Sequence, residues 1–295
     1  MGCSNAIFML QETVSHFVSR GSSIFVASLD IQKAFDKVNH SKLLDSLVRA
    51  NVPRWIIVIL VNWYDKLVVA VRWKSATSEY FRVSSGVRQG SSLSPALFNL
   101  FINSFITDLR SSNSGCKING HFVGAIMYAD DLIILSASLQ GLQRMLHVCE
   151  SVSIELSLKF NCKKCTCCVI GHASRYVMSK MSLCGELIAW SNTFRYLGVD
   201  FVTGNNLTVN LNTVKRKFYA ACNCILGNAG VLQDMIKLHL VESFCLPILS
   251  YATAALKLTM DQIKELNLCW NSVYRRIFGF QRWESVRVFI QGLGR

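Results

Sequence analysis

The sequence predicts an α+β protein, with an antiparallel sheet followed by a mainly helical region. Three observations indicate this class. Ile24 to Leu29 is a short apolar run, typical of a buried strand, and it ends at an acidic residue. Ser41 to Arg49 and Ser138 to Leu156 carry apolar residues at helical spacing. After Gly204 the pattern becomes mainly helical and basic, which predicts a domain boundary near residue 205.

The middle of the sequence adds a hairpin, a loop and a helix. Val68 to Val83 alternates between apolar and polar residues and contains the turn-prone segment Lys74 to Ser78, which predicts a hairpin. Gly86 to Gly90 is predicted to be a loop. A helix should begin at Ser94-Pro95 and continue to about Leu109, because Ser is a good N-cap and Pro suits the first helical position.

A pair of adjacent acids lies between two apolar runs. Tyr128-Ala-Asp-Asp131 separates Phe122–Met127 from Leu132–Leu135, which predicts a tight β-hairpin with its carboxylates at the tip. Asp30 ends the first predicted strand. If the two strands are neighbours, the side chains of Asp30, Asp130 and Asp131 meet at one edge of the sheet.

Such a group of carboxylates suits two-metal phosphoryl transfer. That chemistry uses acids at fixed positions to hold two Mg²⁺ ions roughly 3.5–4 Å apart. Mg²⁺ prefers oxygen ligands and keeps several waters, so two or three carboxylates suffice. Taken alone, each motif also fits a simpler structure, since an Asp-Asp pair is common in solvated turns.

Composition indicates a polyanionic partner. The 295 residues carry a formal net charge of +13, and the excess of bases suggests nucleic acid. We expect no membrane segment, because the best candidate, Trp55 to Trp73, is interrupted by charged residues. The 12 cysteines include only one metal-like pair, Cys162-x-x-Cys165, so we expect reduced thiols and a nuclear or cytoplasmic location.

Five segments together resemble the reverse transcriptases of non-LTR, LINE-like retrotransposons, and they occur in that family's order. The matching segments are Asp30-Ile-Gln-Lys-Ala-Phe-Asp36, Ser85-Gly-Val-Arg-Gln-Gly-Ser-Ser-Leu-Ser-Pro95, Tyr128-Ala-Asp-Asp131, Asn161-x-x-Lys164 and Phe194-Arg-Tyr-Leu-Gly198. The resemblance implies a polymerase-type palm with a remnant of the fingers over residues 1–205 and a helical thumb-like domain over residues 206–295.

The resemblance also implies an activity and its partners. The chain would be an RNA-directed DNA polymerase, a nucleotidyltransferase that adds deoxynucleoside triphosphates to the 3′-hydroxyl of a DNA primer on an RNA template. Two Mg²⁺ ions, with Mn²⁺ as an alternative, would be its cofactors. Asp30 and Asp130 would be the main metal ligands. Asp131 would assist, and it ranks lower because adjacent residues of a strand point to opposite faces.

Further roles follow residue by residue from the same resemblance. Lys164 would protonate or neutralise the leaving pyrophosphate, although the adjacent Lys163 leaves the register open. Phe35 would block the 2′-hydroxyl of a ribonucleotide, with core packing as the simpler alternative. The remaining predicted substrate-binding residues are Arg88, Gln89, Gly90 and Tyr128. Gly86, like Gly90, would let the backbone come close, and Asp36 is expected to make a structural hydrogen bond.

Two departures from the family leave alternatives open. Only 29 residues precede Asp30, so we expect a truncated copy, and a catalytically inactive remnant that binds RNA or DNA is the alternative function. An RNA-dependent RNA polymerase fits less well, because its hairpin usually carries Gly-Asp-Asp. In the C-terminal region, Tyr274-Arg275-Arg276 and Arg282-Trp283 suit gripping of phosphates and stacking on bases, or else form an ordinary amphipathic surface.

Overall fold

The computed structural model describes residues 2–172 and 179–295 and divides into two compact units. The larger unit comprises Thr13–Phe194 and Thr203–Asn206. The C-terminal unit comprises Met1–Glu12, Arg195–Val202 and Leu207–Arg295. This division differs from the predicted boundary at 205 in two segments, since residues 1–12 and 195–202 group with the C-terminal helices. Gln11 and Glu12 illustrate the reason, because both bind Lys257 of that unit.

The described residues form ten α-helices and fifteen short strands. The helices are α1 (Cys3–Val18), α2 (His40–Arg49), α3 (Arg54–Asp65), α4 (Ser94–Ser111), α5 (Leu139–Leu156), α6 (Asn212–Asn228), α7 (Asp234–Phe244), α8 (Leu246–Ser250), α9 (Met260–Phe278) and α10 (Arg287–Gly292). The strands are β1 (Ile24–Asp30), β2 (Val68–Val69), β3 (Arg72–Trp73), β4 (Ala76–Thr77), β5 (Phe81–Arg82), β6 (Lys117–Ile118), β7 (His121–Phe122), β8 (Ala125–Tyr128), β9 (Asp131–Ser136), β10 (Thr166–Ile170), β11 (Met181–Leu183), β12 (Glu186–Trp190), β13 (Thr193–Tyr196), β14 (Val199–Val202) and β15 (Thr208–Val209).

The larger unit is built on a six-stranded sheet, in the order β11-β12-β10-β1-β9-β8. All neighbours are antiparallel except β10 and β12. Strand β1 lies between β10 and β9, where Ala27 pairs with Cys167 on one side and with Ile134 on the other. Its near-continuous apolar sequence suits this interior position. The predicted antiparallel sheet with Asp30 at a strand end is confirmed.

Two long helices pack against this sheet and fill the core. The buried side chains of α4 recur at helical spacing, with Phe101, Phe105 and Leu109 fully buried. Helix α5 buries Leu142 and Leu146 in the same cluster. Helix α5 was predicted from such spacing and α4 from its Ser94-Pro95 start, and α5 begins where predicted, because Ser138 accepts a hydrogen bond from a backbone N–H of the first turn.

The start of α4 corrects one prediction. Ser94 is the first helical residue rather than the N-cap, and Leu93, which precedes it, has no capping side chain. The Ser94 hydroxyl instead donates to the Arg88 carbonyl oxygen at 2.6 Å. Pro95 does lie in the first turn, as predicted. The serine therefore ties the preceding loop to the helix.

Two hairpins outside the six-stranded sheet are present, and the first of them was predicted. Residues 68–82 form one, whose tip lies at Lys74 with a left-handed φ of 54°. Strands β13, β14 and β15 form a three-stranded sheet, with Leu197 and Gly198, both at positive φ, between the first two strands. Positive φ at both central residues is typical of a two-residue hairpin turn.

The C-terminal unit is mainly helical, as predicted. Its core includes the buried side chains of Phe218, Leu238 and Tyr274. One helical stretch, Asp234–Ala255, is long and apolar enough to cross a membrane by length and composition, which the sequence analysis did not single out. Leu238, like Val241, packs in the core of the unit, so part of this apolar composition serves the fold.

Candidate active site

Two of the three predicted acids, Asp30 and Asp131, are brought together by the register of the sheet. Asp30, the last residue of β1, is the direct partner of Asp131, the first residue of β9. Directly opposed residues on neighbouring antiparallel strands point to the same face, with Cβ atoms about 4.5–5.5 Å apart. Asp131 therefore shares a face with Asp30, although the sequence analysis ranked it below Asp130.

The third acid lies in the turn beside them. Tyr128 pairs with Asp131, so Ala129 and Asp130 are the two turn residues between β8 and β9. Ala129 has a left-handed φ of 51°, a conformation that costs a residue with a side chain about 1–3 kcal/mol and often marks a functional turn. The predicted hairpin is confirmed, with Asp130 in the turn and Asp131 beginning the next strand.

The three carboxylates destabilise one another electrostatically. Burial raises the pKa of Asp131, and the negative charges of Asp130 and then Asp30 raise it further. A divalent cation would relieve this repulsion, and carboxylate oxygens are the donors that Mg²⁺ prefers. In residues 2–172 and 179–295, however, no three His, Cys, Asp or Glu side chains are arranged to hold an ion by themselves, so waters or substrate oxygens would have to complete the coordination.

A cavity of about 720 Å³ opens beside the acids. Its lining residues are Asp30, Ile31, Gln32, Lys33, Lys37, Asp130, Ser157, Lys159, Asn161 and Lys164. Four lysines thus surround two carboxylates, an arrangement suited to an anion that carries a divalent cation. Lys164 lines the cavity and Lys163 does not. Of these two adjacent lysines, Lys164 is therefore the one positioned to contact a ligand in the cavity.

The segment before β10 holds Asp30 through its backbone. The Asn161 N–H donates to the Asp30 carbonyl oxygen at 2.8 Å, and the Asp30 N–H contacts Cys165 Sγ at 3.5 Å. The Lys164 N–H donates to the Asn161 carbonyl oxygen, closing a tight turn. Burial raises the pKa of the Cys165 thiol to about 12. This turn therefore fixes Asp30 and brings Lys164 to the same cavity.

The predicted loop Gly86–Gly90 is held against the segment that follows Asp30. The Gly86 N–H donates to the Val38 carbonyl oxygen at 2.8 Å. A Cβ atom at Gly86 would lie 2.9 Å from the Asp36 carbonyl oxygen, so only glycine fits there. The Gln89 amide donates to Asp36 Oδ1 at 3.0 Å, which is the structural hydrogen bond expected of Asp36.

The predicted gate residue has a fixed orientation. The half-buried ring of Phe35 stacks on the fully buried ring of Phe98, with centroids 4.2 Å apart and planes 17° from parallel. The Phe35 carbonyl oxygen also accepts a hydrogen bond from Val87. Phe35 thus contributes to the core while part of its surface stays exposed, so both interpretations of this residue are compatible with its position.

Not every predicted residue lines the cavity. Asp131 is outside its lining, as are the other predicted residues Phe35, Arg88, Gln89, Gly90 and Tyr128, and their roles stay predictions. Three lysines that line it, Lys33, Lys37 and Lys159, were not singled out. Lys33 lies within the first motif and Lys37 directly follows it, three and seven residues after Asp30, which is a local signal for basic residues near this acid.

The two predicted nucleic-acid-binding segments of the C-terminal unit, Tyr274-Arg275-Arg276 and Arg282-Trp283, differ in whether their aromatic side chain is exposed. Tyr274 is fully buried, so it is a core residue and cannot stack on bases. Arg275 donates to the Glu284 carbonyl oxygen, and Arg276 donates to the Asn223 side chain. Trp283, by contrast, is exposed. The predicted stacking on bases is therefore wrong for Tyr274, and phosphate binding by the two arginines stays a prediction.

The cysteines show no second chemical centre. All twelve are free thiols. Cys162 and Cys165, the metal-like pair, belong to no group of metal-binding side chains in the part of the chain that the structure describes. Cys167 and Cys168 are buried on strand β10, as the simpler interpretation predicted.

Comparison with known proteins identifies the class. The family model described as reverse transcriptase (RNA-dependent DNA polymerase) matches residues 4–201. The chain therefore belongs to the reverse transcriptase family, and the predicted resemblance is confirmed.

Its relatives come from non-LTR retrotransposons. The chain is 28% identical to the Pol polyprotein of the type-2 retrotransposable element R2DM of Drosophila melanogaster, over 71% of this chain and 20% of that protein. It is 24% identical to the RNA-directed DNA polymerase of the mobile element jockey of the same organism, over 86% of this chain and 28% of that protein. The chain thus spans between a fifth and a third of the length of these two curated relatives.

A solved structure supports the fold. Apo telomerase from Candida tropicalis superposes with a TM-score of 0.54 at 12% identity, over 98% of this chain and 48% of that chain. At this level of identity the similarity concerns the fold alone.

Proposed function

We propose that the chain is an RNA-directed DNA polymerase of a non-LTR retrotransposon, adding deoxynucleoside triphosphates to a DNA primer on an RNA template. One observation carries the proposal. Asp30 and Asp131 are paired across the sheet, Asp130 lies in the adjoining turn, and a cavity lined by four lysines opens beside them. Family membership supplies the class of reaction.

The carboxylates would hold the metal ions. Two Mg²⁺ ions, or Mn²⁺ in their place, would bind between Asp30, Asp130 and Asp131, with waters and phosphate oxygens as further ligands. When bound, they would supply the activation of the attacking 3′-hydroxyl and the stabilisation of charge on the leaving pyrophosphate. The mutual repulsion of the three carboxylates supports this assignment.

The lysines would bind the triphosphate. Lys33, Lys37 and Lys159 face the cavity with ammonium groups that can neutralise phosphate charge. Lys164, anchored by the turn that also holds Asp30, would donate a proton to the leaving pyrophosphate or neutralise it. The Phe35 ring, held in place by Phe98, would exclude a 2′-hydroxyl from the nucleotide site.

The predicted contacts outside the cavity complete the proposal. Arg88, Gln89 and Gly90 would contact the incoming nucleotide and template from the loop that packs on the first motif. Tyr128 would contribute from the strand before the turn. The hydrogen bond between Gln89 and Asp36 supports this arrangement, because it restricts the glutamine to one side of the loop.

The alternative is nucleic-acid binding without catalysis. It is favoured by the finding that no complete set of metal-binding side chains occurs in residues 2–172 and 179–295. The net charge of +13 suits either function.

Primer extension separates the two. The assay would use a DNA primer on a defined RNA template with Mg²⁺ and deoxynucleotides. Asp130→Asn should reduce extension by orders of magnitude while nucleic-acid affinity holds or rises, because a negative charge near the phosphates is lost. Asp45→Asn, the same change at an exposed position on α2, is the matched control. Salt-dependent binding with no extension by the unaltered chain would establish the alternative.

A further inference from the structure

The hairpin of residues 68–82 exposes large side chains that soluble proteins normally cover. Trp73 is 75% exposed and Tyr80 is 77% exposed, and Val71 and Phe81 are also exposed. Burying one such side chain stabilises a protein by about 1.5–3 kcal/mol. A group of them left in solvent on one short ribbon indicates a binding surface.

Basic residues lie close to these aromatic residues in the chain. The tip carries Arg72-Trp73-Lys74, and the other end of the ribbon carries Tyr80-Phe81-Arg82. Successive residues of a strand point to opposite faces. Arg72 therefore lies on the opposite face from Trp73, and Arg82 on the opposite face from Phe81. Trp73 and Phe81 are thus each next to a cation in the chain, and Tyr80 lies two residues from Arg82.

The positive charge of the hairpin is not neutralised. Glu79 is its single acidic residue. None of Arg72, Lys74 and Arg82 forms an ion pair with any residue that the structure describes. All three side chains are exposed. The surface is therefore complementary to an anion that also offers flat apolar faces.

Only a few residues of the chain separate the hairpin from the loop that packs beside the candidate active site. The Val83 N–H donates to the Leu67 carbonyl oxygen at 3.1 Å and closes the base of the ribbon. Two residues later Ser85 pairs with Asn39, and Val87 then donates to the Phe35 carbonyl oxygen. A strand of nucleic acid bound on the hairpin would begin within a few residues of the loop that carries Arg88 and Gln89.

We propose that the hairpin of residues 68–82 binds single-stranded nucleic acid outside the candidate cavity, with bases stacked on Trp73 and Tyr80. Its phosphates contact Arg72, Lys74 and Arg82. An unpaired strand fits because its bases expose the faces that a duplex hides between base pairs. A protein is the competing occupant, because aromatic residues and arginine are also enriched at protein interfaces, but the unneutralised positive charge of the hairpin favours a polyanion.

This binding does not require catalysis, so it can be tested in the absence of deoxynucleotides. The probe is a fluorescently labelled oligouridine, with a blunt RNA duplex of the same length for comparison, and the readout is anisotropy. A double variant, Trp73→Ala with Tyr80→Ala, should weaken binding of the single strand by about fivefold to a hundredfold per lost stack. Binding of the duplex should change little.

The matched control is Trp55→Ala, which removes another largely exposed tryptophan, on α3 of the same unit. Its affinity for the single strand should equal that of the unaltered chain. A second variant, Arg72→Gln with Arg82→Gln, keeps the rings and tests the charges. It should flatten the dependence of log Kd on log salt by about 0.7 per lost phosphate contact.

Three outcomes would overturn the proposal. The first is unchanged affinity of the aromatic variant for oligouridine. The second is an equal loss for Trp55→Ala, which would indicate a general effect of removing tryptophan. The third is sedimentation showing that the unaltered chain self-associates and the aromatic variant does not, since the hairpin would then be a protein contact. If the aromatic variant fails to fold, an unchanged salt slope in the arginine variant overturns the proposal by itself.

Discussion

Lys163 and Lys164 are adjacent and both exposed, yet only one of them faces the carboxylates. The turn that begins at Asn161 determines which one, because its backbone hydrogen bonds fix Lys164 next to Asp30. The side chain of Lys163 lies outside the cavity. The neighbouring residues therefore form an internal comparison in which charge, length and exposure are matched.

Lys164→Gln should lower the rate of primer extension at saturating nucleotide by about a hundredfold or more, the usual contribution of a positioned proton donor. Lys163→Gln should leave it within about twofold of the unaltered chain, because this residue contacts no part of the proposed substrate site. Single-turnover extension measures both. Equal losses in the two variants would mean that the lysines act through their positive charge alone, whatever their position relative to the carboxylates.

The loop of residues 85–90 depends on a close backbone contact. It packs on the segment after Asp30 at Gly86, where no side chain fits. Gly90, at the other end of the loop, also has a positive φ but nothing within 4 Å of a Cβ atom. Substituting each glycine in turn therefore distinguishes the free-energy cost of a left-handed backbone from the additional cost of a steric clash.

Gly90→Ala should destabilise the fold by about 1 kcal/mol, the cost of a left-handed conformation for alanine. Gly86→Ala should cost more, about 2–4 kcal/mol, because the Cβ atom must also displace the Asp36 backbone. Urea unfolding followed by circular dichroism gives both values. If the two variants are equally stable, the loop can move away from Asp36 at no cost.

Elements with strong periodicity could be predicted from the sequence, and contacts between distant segments could not. Helix α5 was predicted because Leu142 and Leu146 follow a local pattern, and its N-cap, Ser138, is the first residue of the predicted range. The pairing of Asp30 with Asp131 could not be derived, since it depends on the register between strands a hundred residues apart. The role of Ser94 was missed for a similar reason, because its hydroxyl binds a loop carbonyl that no local pattern specifies.

The whole molecule has a net charge of +13, yet it holds three acidic residues, Asp30, Asp130 and Asp131, close together. Unbound, the three acids repel one another, so an ion that binds only the folded larger unit stabilises it by mass action. The stabilisation is about 2.7 kcal/mol when the ion concentration is a hundred times its Kd. Because the chain has two compact units, separate unfolding transitions are expected.

Mg²⁺ should therefore raise the Tm of one transition and leave the other unchanged. A double variant, Asp30→Ala with Asp130→Ala, should be insensitive to Mg²⁺. Differential scanning calorimetry with Mg²⁺ and with EDTA measures the shift. The same shift in the double variant would mean that the ion binds elsewhere.

The contact between the Asp30 N–H and Cys165 Sγ makes this thiol a native reporter on the catalytic strand. Cys165 is 1% exposed, so an alkylating reagent can reach it only when the structure around the end of β1 and the turn before β10 opens. Its labelling rate therefore measures the frequency of that opening, and Cys184, which is exposed, records the reactivity of an unprotected thiol in the same sample. Mass spectrometry of the two cysteine-containing peptides would report local opening around Asp30 and Cys165 while the rest of the molecule stays folded.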